Sequence, residues 1–572
     1  MKQILQLIPK PFRQRGIGVL VSLIVRAGLN LVGLAMFLPI LALALNPEAL
    51  HGEGVMAQIY QWGDFRSTEQ FAWVTAAVII SVIALKAMLN LYLAHLERKY
   101  IYDLYSTLSR QLYTNYHHRG LAFIKGQNSA MLTRNVNVVC LQFTAGILRP
   151  MATILSEATL LILLFAALAC YAPMAALLTI GVFAPATWIY YYVVRRRINR
   201  YGEEENRAQR EKARIVSETF RGYTDIELGN AFPMMLRRFD QAMKEVVRTR
   251  SKEADIALLP QMVTELGLAI GIALLAALSL SFELSHVSSQ MLFGIFAVAA
   301  IRLMPSVRNI LSSWTTFRYN HYTISILKEV PAQDKPTDQI AEIVPLPFNN
   351  TIEIRNLKFR FMDGEKPLFD GLNLLIHKGE HIGIRGASGV GKTTLFNLLL
   401  GFYTPSSGEI LIDGVPLTEE NRRNWQQRVG HVSQSLFLTD GTFAQNVALG
   451  TDDEHIDRER VMQLLEMAQM GDFVRSLAKG IDTPIGECGC RLSGGQRQRI
   501  GIARALYRHA DVLFFDEATS SLDSATEQEI NQSIARLARE NQSLTLLVIA
   551  HRESSLEDCD RILTIDNSYC NG

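Results

Sequence analysis

The strongest chemical signal in the sequence is an eight-residue run, Gly386-Ala387-Ser388-Gly389-Val390-Gly391-Lys392-Thr393. It follows a predicted strand at 381–385 and precedes an apolar, helix-like run at 395–400. Glycines in such a loop let backbone N–H groups converge on phosphate oxygens, and the start of the helix adds positive charge. We therefore predict a nucleotide-phosphate loop that extends to Thr394, in which Lys392 reaches the terminal phosphates and the Thr393 hydroxyl ligates Mg²⁺.

A second signal is the run Val512-Leu-Phe-Phe-Asp516-Glu517, in which four apolar residues end in two carboxylates. The apolar residues predict a buried strand that delivers both carboxylates at its C-terminal end. We predict that Asp516 holds Mg²⁺, directly or through water, and that Glu517 orients and polarises the attacking water of a phosphoryl transfer. An acidic pair after a strand is weak by itself, but together with the phosphate loop it indicates nucleotide hydrolysis.

A third pattern, Leu492-Ser493-Gly494-Gly495-Gln496, precedes the carboxylate strand by about twenty residues and leads directly into ArgGlnArgIleGlyIleAlaArgAla. Ser493 and the two glycine N–H groups, at the start of the following helix, predict a second clamp for anions. With this run the chain resembles the ABC transporter superfamily, whose signature is LSGGQ. The resemblance covers essentially the whole chain and rests on specific motifs.

The resemblance implies further roles for individual residues. Gln434, in ValSerGlnSer, matches the Q-loop, a catalytic position that also contacts Mg²⁺, and Asp523 ends the D-loop match that begins at Ser520. His551, in IleAlaHisArg, matches the switch histidine that contacts the terminal phosphate. Phe361 aligns with the aromatic residue that stacks on adenine, where relatives usually carry tyrosine. The segment 483–489 resembles the X-loop of exporters, which contacts the membrane domain.

The resemblance also implies how the site is assembled. Two ATP molecules would lie between two nucleotide-binding domains arranged head to tail. Each site would pair Lys392 and Glu517 of one chain with Ser493 and Gly495 of the other. Because the residues for hydrolysis are all present in this chain, a homodimer is sufficient, although a heterodimer stays open.

The elements that must position these residues follow from length and composition. The chain has 572 residues, of which 49% are hydrophobic, and its formal net charge is +2. Such a length predicts more than one domain. The net charge argues neither for nor against a nucleic-acid partner, but no long basic tail is present and we expect no such partner. Six mostly apolar stretches are long enough to span a bilayer. They are Ile17–Leu45, Phe71–Leu96, Ile147–Tyr171, Met174–Val194, Ala257–Phe282 and Ser288–Phe317.

The charges of the connecting loops indicate on which side of the membrane each loop lies. Basic clusters flank the long segments near 97–145 and 195–255, whereas the loop 46–70 is mainly acidic. Because positive residues favour the cytoplasmic side, we predict that both termini and the ATPase domain are cytoplasmic. Helical periodicity at Ile101, Leu104, Leu108, Leu112 and Tyr116 predicts that the membrane helices extend far into the cytoplasm. The first residues, around Ile4, Leu5 and Ile8, predict either an amphipathic helix on the membrane surface or an early start of the first span.

The predicted organisation is a six-helix membrane domain at 1–330, a proline-rich linker at 331–350 and an ABC nucleotide-binding domain at 351–572. Short β-rich runs alternate with helical stretches in the last domain, which predicts a mostly parallel sheet covered by helices. The six scattered cysteines predict free thiols in a reducing compartment. The expected location is the bacterial inner membrane.

Charged residues inside the predicted spans are candidates for a substrate cavity. Such residues are costly in a bilayer, so they either pair with one another or line a polar path. Both interpretations stay open for this set, which comprises Arg26, Lys86, Glu157, Glu265 and Arg302. The external segment 55–62 is a further candidate, either for contact with a lipid tail or as an ordinary interfacial loop.

The membrane domain resembles one subgroup more closely, the bacterial flippases for lipid-linked oligosaccharides of N-linked glycosylation. The residues that carry this resemblance are Arg302-Leu-Met-Pro-Ser306, Asn309-Ile310, Ser156-Glu157, Glu265 and Lys86 with Leu89-Asn90. The resemblance implies that the protein moves a glycan, linked to a lipid through pyrophosphate, to the outer leaflet. Arg26 and Arg302 would then be suited to bind the pyrophosphate group. Two alternatives remain: an exporter of a peptide or small hydrophobic compound, and an ATP-gated channel or regulatory ATPase.

Overall fold

The computed structural model describes residues 2–36, 60, 67–171, 173–281, 286–328, 345–361, 366–517, 527–528, 530, 532, 543–550, 552, 556–557 and 559–566. The chain divides into two compact units, Met1–Lys335 and Pro336–Gly572. The first unit is helical, and the second contains two β-sheets with helices. The predicted order of a helical domain followed by an α/β domain is therefore confirmed.

In the described part of the chain, six long helices coincide with the six predicted spans, of which residues 37–45 and residue 282 lie outside the described residues. Thr68–His118 has 51 residues, so it is about 75 Å long, more than twice the thickness of the hydrocarbon core. The helices of this unit are α1 Lys2–Leu7, α2 Lys10–Ala35, α3 Thr68–His118, α4 Gly120–Gly126, α5 Ser129–Arg134, α6 Cys140–Phe143, α7 Arg149–Tyr171, α8 Pro173–Arg221, α9 Tyr223–Leu228, α10 Phe232–Ser281, α11 His286–Tyr319 and α12 Tyr322–Lys328, with π-helical turns at Asn135–Val139 and Thr144–Leu148.

Among the described residues, four segments are long and apolar enough to cross a membrane. They are Lys10–Gly33, Glu69–His118, Ser129–Cys170 and Phe232–Leu274. The long helices α3, α8 and α10 continue well beyond the length that a bilayer requires. The chain is thus a membrane-spanning protein with helical extensions.

The periodic apolar residues of the α3 extension are buried, as their spacing predicts. Leu104 and Leu112 are almost fully buried, in a cluster with Phe143 and Ile147. Ile4 and Ile8 belong to the same cluster, so their apolar side chains are covered by other helices of the first unit. The location of α1 on the membrane surface stays a prediction.

The second unit contains an antiparallel and a parallel sheet. Strands β1 Thr351–Phe359, β2 Phe369–His377, β4 Ser407–Ile412 and β5 Val415–Pro416 form the antiparallel sheet, in the order β2-β1-β4-β5. The expectation of a single, mostly parallel sheet is therefore wrong in this part. Buried and exposed residues alternate along β1, which is the pattern of a sheet with one covered face.

The parallel sheet contains β3 His381–Gly386, β6 Val429–Val432, β7 Val512–Asp516, β8 Thr545–Ile549 and β9 Arg561–Ile565, in the order β6-β7-β8-β3-β9. All five residues of β7 are buried. Since only β8 separates β3 from β7, the segments that follow these two strands leave the same edge about 10 Å apart. Ligands bind at this edge in open parallel sheets.

Short helices complete the second unit. They are α13 Lys392–Leu399, α14 Arg422–Gln426, α15 Phe443–Val447, α16 Arg458–Met467, α17 Gly471–Ser476 and α18 Gly494–Tyr507, with 3-10 turns at Asp453–His455, Gly480–Asp482 and Glu487–Gly489. Helix α13 begins directly after the glycine-rich loop, and α18 begins within the LeuSerGlyGlyGln run. The two predicted anion clamps therefore both lie at helix N-termini.

Candidate nucleotide-binding site

The loop between β3 and α13 has a backbone that only glycine accommodates. Gly389 and Gly391 have φ angles of +84° and +104°, in the left-handed region. A Cβ atom on Gly391 would lie 3.0 Å from side-chain atoms of Leu368 and Phe369, and one on Gly386 would collide with the carbonyl oxygen of Ile565. The glycines thus permit the turn that brings backbone N–H groups to the start of α13.

The ammonium group of Lys392 lies folded over this loop. Lys392 is 6% exposed, and its Nζ donates to the carbonyl oxygens of Gly386 at 2.8 Å and Ala387 at 3.1 Å. Within the described residues no carboxylate pairs with it. A buried cation beside a helix N-terminus, with no anionic partner of its own, is suited to a phosphate ligand.

Two oxygen ligands meet beside the loop. The Thr393 hydroxyl donates to Oδ1 of Asp516 at 3.1 Å, and Asp516 is 2% exposed. A hydroxyl and a buried carboxylate are the donor types that Mg²⁺ prefers in nucleotide sites. The residues present therefore fit the metal that the sequence predicts.

Glu517 has a strained backbone and a defined side-chain contact. Its φ angle is +52°, which is unusual for a residue other than glycine, and its N–H donates to the carbonyl of Ile549 at 3.0 Å. Nε2 of Gln434 donates to Oε2 of Glu517 at 2.7 Å. The two carboxylates at the end of β7 thus contact partners from two different segments, Thr393 and Gln434.

The serine of the LeuSerGlyGlyGln run caps α18. Oγ of Ser493 accepts from the N–H of Gln496 at 3.2 Å, and the Gln496 side chain accepts from the N–H of Ser493 at 2.9 Å. This reciprocal capping box fixes the first turn, where Gly494 and Gly495 lie. Gln496, the last residue of the run that the resemblance assigns to nucleotide binding, therefore makes a structural contact within the helix start.

Arg504, on α18, is a residue that the sequence interpretation missed. Its guanidinium donates to the carbonyl oxygens of Asn446 and Phe437, both at 2.7 Å, and to Oδ1 of Asn446 at 3.2 Å. Burial lowers the pKa of Arg504 to about 10, so it stays charged at neutral pH. The side chain joins α18 to the segment that follows Gln434. Its position in the run after Gln496 was the available signal.

The aromatic residue predicted to stack on adenine is accessible. Phe361 is 45% exposed, and its ring makes edge contacts with Phe359 at 5.0 Å and Tyr403 at 5.8 Å between centroids. Tyr403 supplies a second aromatic ring that the sequence interpretation did not single out. Ala387, Ser388, Val390 and Thr394 lie in the phosphate loop and the first turn of α13, as predicted.

Three predicted sites are not covered by the described residues. Asp523 and His551 lie outside them, as does the segment 55–62 apart from Tyr60. Arg302 lies in α11, but its side chain is not described. The roles predicted for these residues stay predictions.

The charged residues of the predicted spans do not form one cluster in the described structure, and each of those whose side chains are described contacts different neighbours. Arg26 forms an ion pair with Glu97 at 3.2 Å. Glu97 directly follows the predicted span Phe71–Leu96, so it was not among the charged span residues. Glu157 accepts hydrogen bonds from Ser306 at 2.7 Å and Asn309 at 2.9 Å. These contacts join α2 to α3 and α7 to α11.

The two remaining charged span residues also have near neighbours. Glu265 accepts from Gln261 at 2.8 Å, one turn earlier on α10. The Lys86 side chain lies against Gly33, so a Cβ atom at this position would require the flexible end of Lys86 to move. The Glu265 contact therefore lies within α10, whereas the Lys86 contact lies between α3 and α2.

A glycine-cradled lysine, a hydroxyl–carboxylate pair and a strand-end glutamate at one edge of a parallel sheet define a P-loop nucleotide hydrolase. The ABC transporter family matches residues 369–520. The "ATP-dependent lipid A-core flippase" of Bordetella avium is 30% identical over 522 residues, 90% of this chain and 86% of that protein. The chain belongs to the ABC transporter family, as the LeuSerGlyGlyGln run predicts.

Two further similarities refine this assignment. The Bordetella pertussis protein of the same name is 33% identical over 416 residues, 72% of this chain and 66% of its own length. A solved structure described as a bacterial Atm1-family ABC exporter with ATP bound has the same fold, with a TM-score of 0.77, 22% identity and coverage of 98% and 94% of the two chains. The chain has the fold of an exporter-type half-transporter and contains an ABC transporter ATPase domain, and it spans about two thirds of the length of the Bordetella pertussis protein.

Proposed function

We propose that the chain works as a homodimeric flippase that moves an anionic glycolipid from the cytoplasmic to the outer leaflet of the bacterial inner membrane. A lipid-linked oligosaccharide is the substrate that the sequence resemblance implies. The relatives in Bordetella are named for lipid A-core. Both substrates combine phosphate groups, sugars and a long apolar tail, and this shared chemistry is what we propose for the cargo.

The observation that carries this proposal is the extent of the match to the Bordetella avium protein. The 522 aligned residues far exceed the length of the second unit, Pro336–Gly572, so the similarity includes most of the membrane domain. ATPase domains are shared by transporters of many substrates, whereas the membrane domain contacts the cargo. Similarity there supports a related class of substrate.

An apolar cavity in the membrane domain supports a lipid cargo. It has a volume of about 500 Å³ and lies between α7, α8 and α11. Phe165, Phe183, Trp188 and Leu303 are among its lining residues. A space of this size and composition suits hydrocarbon and excludes a charged group.

Charged and polar contacts adjoin this cavity. Val307 and Ile310 line it, and their neighbours Ser306 and Asn309 hold the Glu157 carboxylate. We propose that Glu157, with Arg26, Lys86, Glu265 and Arg302, belongs to the path of the cargo's polar part. Polar residues on a transport path are expected to be kept in a bilayer despite their cost.

In the ATPase domain the chain's own residues would perform four tasks. The loop N–H groups and Lys392 bind the phosphates, and Thr393 with Asp516 would hold Mg²⁺. Bound Mg²⁺ would neutralise charge that develops on the transferred phosphoryl group. Glu517 orients and polarises the attacking water, and Gln434 holds the Glu517 carboxylate in place.

The second half of each ATP site would come from the partner chain. Ser493 and the N–H groups of Gly494 and Gly495 lie at the start of α18, which is 14 residues long, so they offer a helix N-terminus to the phosphates. We propose that this turn faces the phosphate loop of the second copy. His551 and Asp523 would complete that interface.

The test is the response of ATP hydrolysis to candidate cargo. The purified full-length protein in nanodiscs should hydrolyse ATP faster, in a saturable way, when a lipid-linked oligosaccharide or lipid A-core is added. The control is phosphatidylcholine, added in an amount that supplies as much hydrocarbon as the glycolipid does. It should have no such effect. Stimulation by peptides or small hydrophobic compounds alone would favour the alternative exporter function and contradict the proposal.

A further inference from the structure

A cavity of about 570 Å³, lined mostly by polar and charged residues, lies in the part of the first unit that is predicted to be cytoplasmic. One wall is the segment from α5 to α6, which contributes Arg134, Asn137 and Gln142. The other wall is α8, which contributes Lys212, Ser217 and Arg221. The lining residues Gln209, Ala213, Ser217 and Arg221 recur every four positions along α8, so successive members are neighbours on the helix surface.

The cavity contains positive charge that the protein does not neutralise. Arg134 donates to the neutral side chain of Asn206 at 2.7 Å, and Arg221 donates to the Ser129 hydroxyl at 3.4 Å. Within the part of the chain that the structure describes, neither arginine pairs with a carboxylate and Lys212 makes no ion pair. Cations that converge on a cavity without an anion favour an anionic ligand.

The carboxylates near the cavity form hydrogen bonds with residues other than these three cations. Glu205 is the acidic residue of the cavity lining, and it accepts from Arg250 at 2.6 Å and from the Tyr319 hydroxyl. Glu211, next to Lys212 in the chain, accepts from Arg214 at 2.6 Å. The positive charge of Arg134, Lys212 and Arg221 therefore remains available to a ligand.

The backbone of the first wall is irregular where it borders the cavity. A π-helical turn covers Asn135–Val139, directly after Arg134, and a second covers Thr144–Leu148. Each π turn is an irregularity in a helix, and such turns are frequent at functional sites. This feature is independent of the charges and lies at the same place.

We propose that this cavity binds a phosphate-bearing anion. An arginine can hold a phosphate with two parallel hydrogen bonds, a lysine adds a mobile point charge, and amide and hydroxyl groups suit sugar hydroxyls. The identity of the anion rests on the proposed function: it is the headgroup of the transported lipid, bound before it enters the membrane path. None of these residues belongs to the set of charged span residues above.

The test measures binding of a fluorescently labelled isoprenyl pyrophosphate to the full-length protein in detergent. Saturating ADP occupies the nucleotide site during the measurement, and the equivalent isoprenyl alcohol reports contacts of the tail alone. The test variant combines Arg134→Gln with Lys212→Gln. The matched control is Arg207→Gln, on the same helix, because Arg207 is 78% exposed and does not line the cavity.

We expect the dissociation constant of the pyrophosphate probe to rise at least about tenfold in the double variant. A rise of this size is what the loss of one charge-assisted hydrogen bond would cause. The control should match the unmodified protein, and basal ATP hydrolysis should be unchanged in both variants. Equal affinity of the double variant and the unmodified protein would overturn the proposal.

Competition with inorganic pyrophosphate identifies the source of the anion. Displacement of the probe would show that the free anion suffices, and resistance to millimolar pyrophosphate would show that the anion must be attached to a lipid. If binding depends on both cations but no lipid moves across the bilayer with ATP, the anion site stands and the flippase function fails. The two proposals are therefore separable.

Discussion

The side-chain amide of Gln434 donates a 2.7 Å hydrogen bond to the Glu517 carboxylate and joins two segments that are 83 positions apart. The first segment follows β6 and the second ends β7, and these strands are neighbours in the parallel sheet. The Glu517 side chain is thus oriented by a neighbouring strand connection as well as by its own left-handed backbone. Orientation of this carboxylate is what the hydrolytic role proposed for Glu517 requires.

Replacement of Glu517 should separate ATP binding from hydrolysis. Glu517→Gln keeps the shape of the side chain and an oxygen that accepts from Gln434, but it loses the charge that polarises water. We expect phosphate release to fall about 10²–10⁴-fold while ATP affinity stays within a few-fold. Glu419→Gln, on an exposed turn, is the control and should be normal. Hydrolysis by Glu517→Gln within threefold of the unmodified rate would refute the assigned role.

Thr393 offers a test of the predicted metal contact. Thr393→Val keeps the shape but removes the hydroxyl that donates to Asp516, whereas Thr393→Ser keeps it. We expect the valine variant to need at least about tenfold more Mg²⁺ for half-maximal hydrolysis, and the serine variant to need roughly the normal amount. The measurement is the hydrolysis rate against free Mg²⁺ at fixed ATP. Equal Mg²⁺ dependence of the two variants would contradict the assignment.

Arg504 should contribute to stability through its contacts with backbone carbonyls. Arg504→Met leaves the carbonyl oxygens of Asn446 and Phe437 without a donor, so we expect a loss of about 2–4 kcal/mol in the local free energy of unfolding. Hydrogen exchange of α15 and α18 in the full-length protein measures it. Arg508→Met, at the exposed end of α18, is the comparison and should exchange as the unmodified chain does.

His431 should make the second unit less stable in acid. Burial lowers its pKa to about 4, below the value near 6.5 of a free histidine. Between these two values the unfolded chain binds the additional proton, so stability falls as the pH falls from about 6.5 to about 4, by at most ~3 kcal/mol. His431→Gln should flatten this part of the profile. Denaturant midpoints measured across pH 4–7 give the comparison, and identical slopes for both proteins would exclude His431 as the cause.

The sequence predicted local patterns well and long-range contacts poorly. The glycine-rich loop was predictable because its conformation depends on adjacent residues, of which Gly391 has the most demanding backbone. The antiparallel sheet was missed because β1 pairs with both β2 and β4, and such pairing is decided by partners elsewhere in the chain. Composition of a short run does not reveal which strand lies beside it.

The same limit applies to side chains. A charge within an apolar run marked Glu157 as unusual, but its partners Ser306 and Asn309 lie about 150 positions away. The cavity between Arg134 and Lys212 likewise joins segments that look like ordinary charged cytoplasmic helices. Local periodicity predicts which residues share a face of one helix, and it cannot predict which helix that face meets.

The central claim is that ATP hydrolysis at the Glu517 site moves a glycolipid across the bilayer. Its most direct test is reconstitution in liposomes with a fluorescent lipid-linked oligosaccharide, in which a membrane-impermeant quencher measures the fraction in each leaflet. With ATP and Mg²⁺ the unmodified protein should shift the probe toward the leaflet opposite the ATPase domain, and Glu517→Gln should leave the distribution unchanged. An unchanged distribution with the unmodified protein, or an equal shift with Glu517→Gln, would contradict the account.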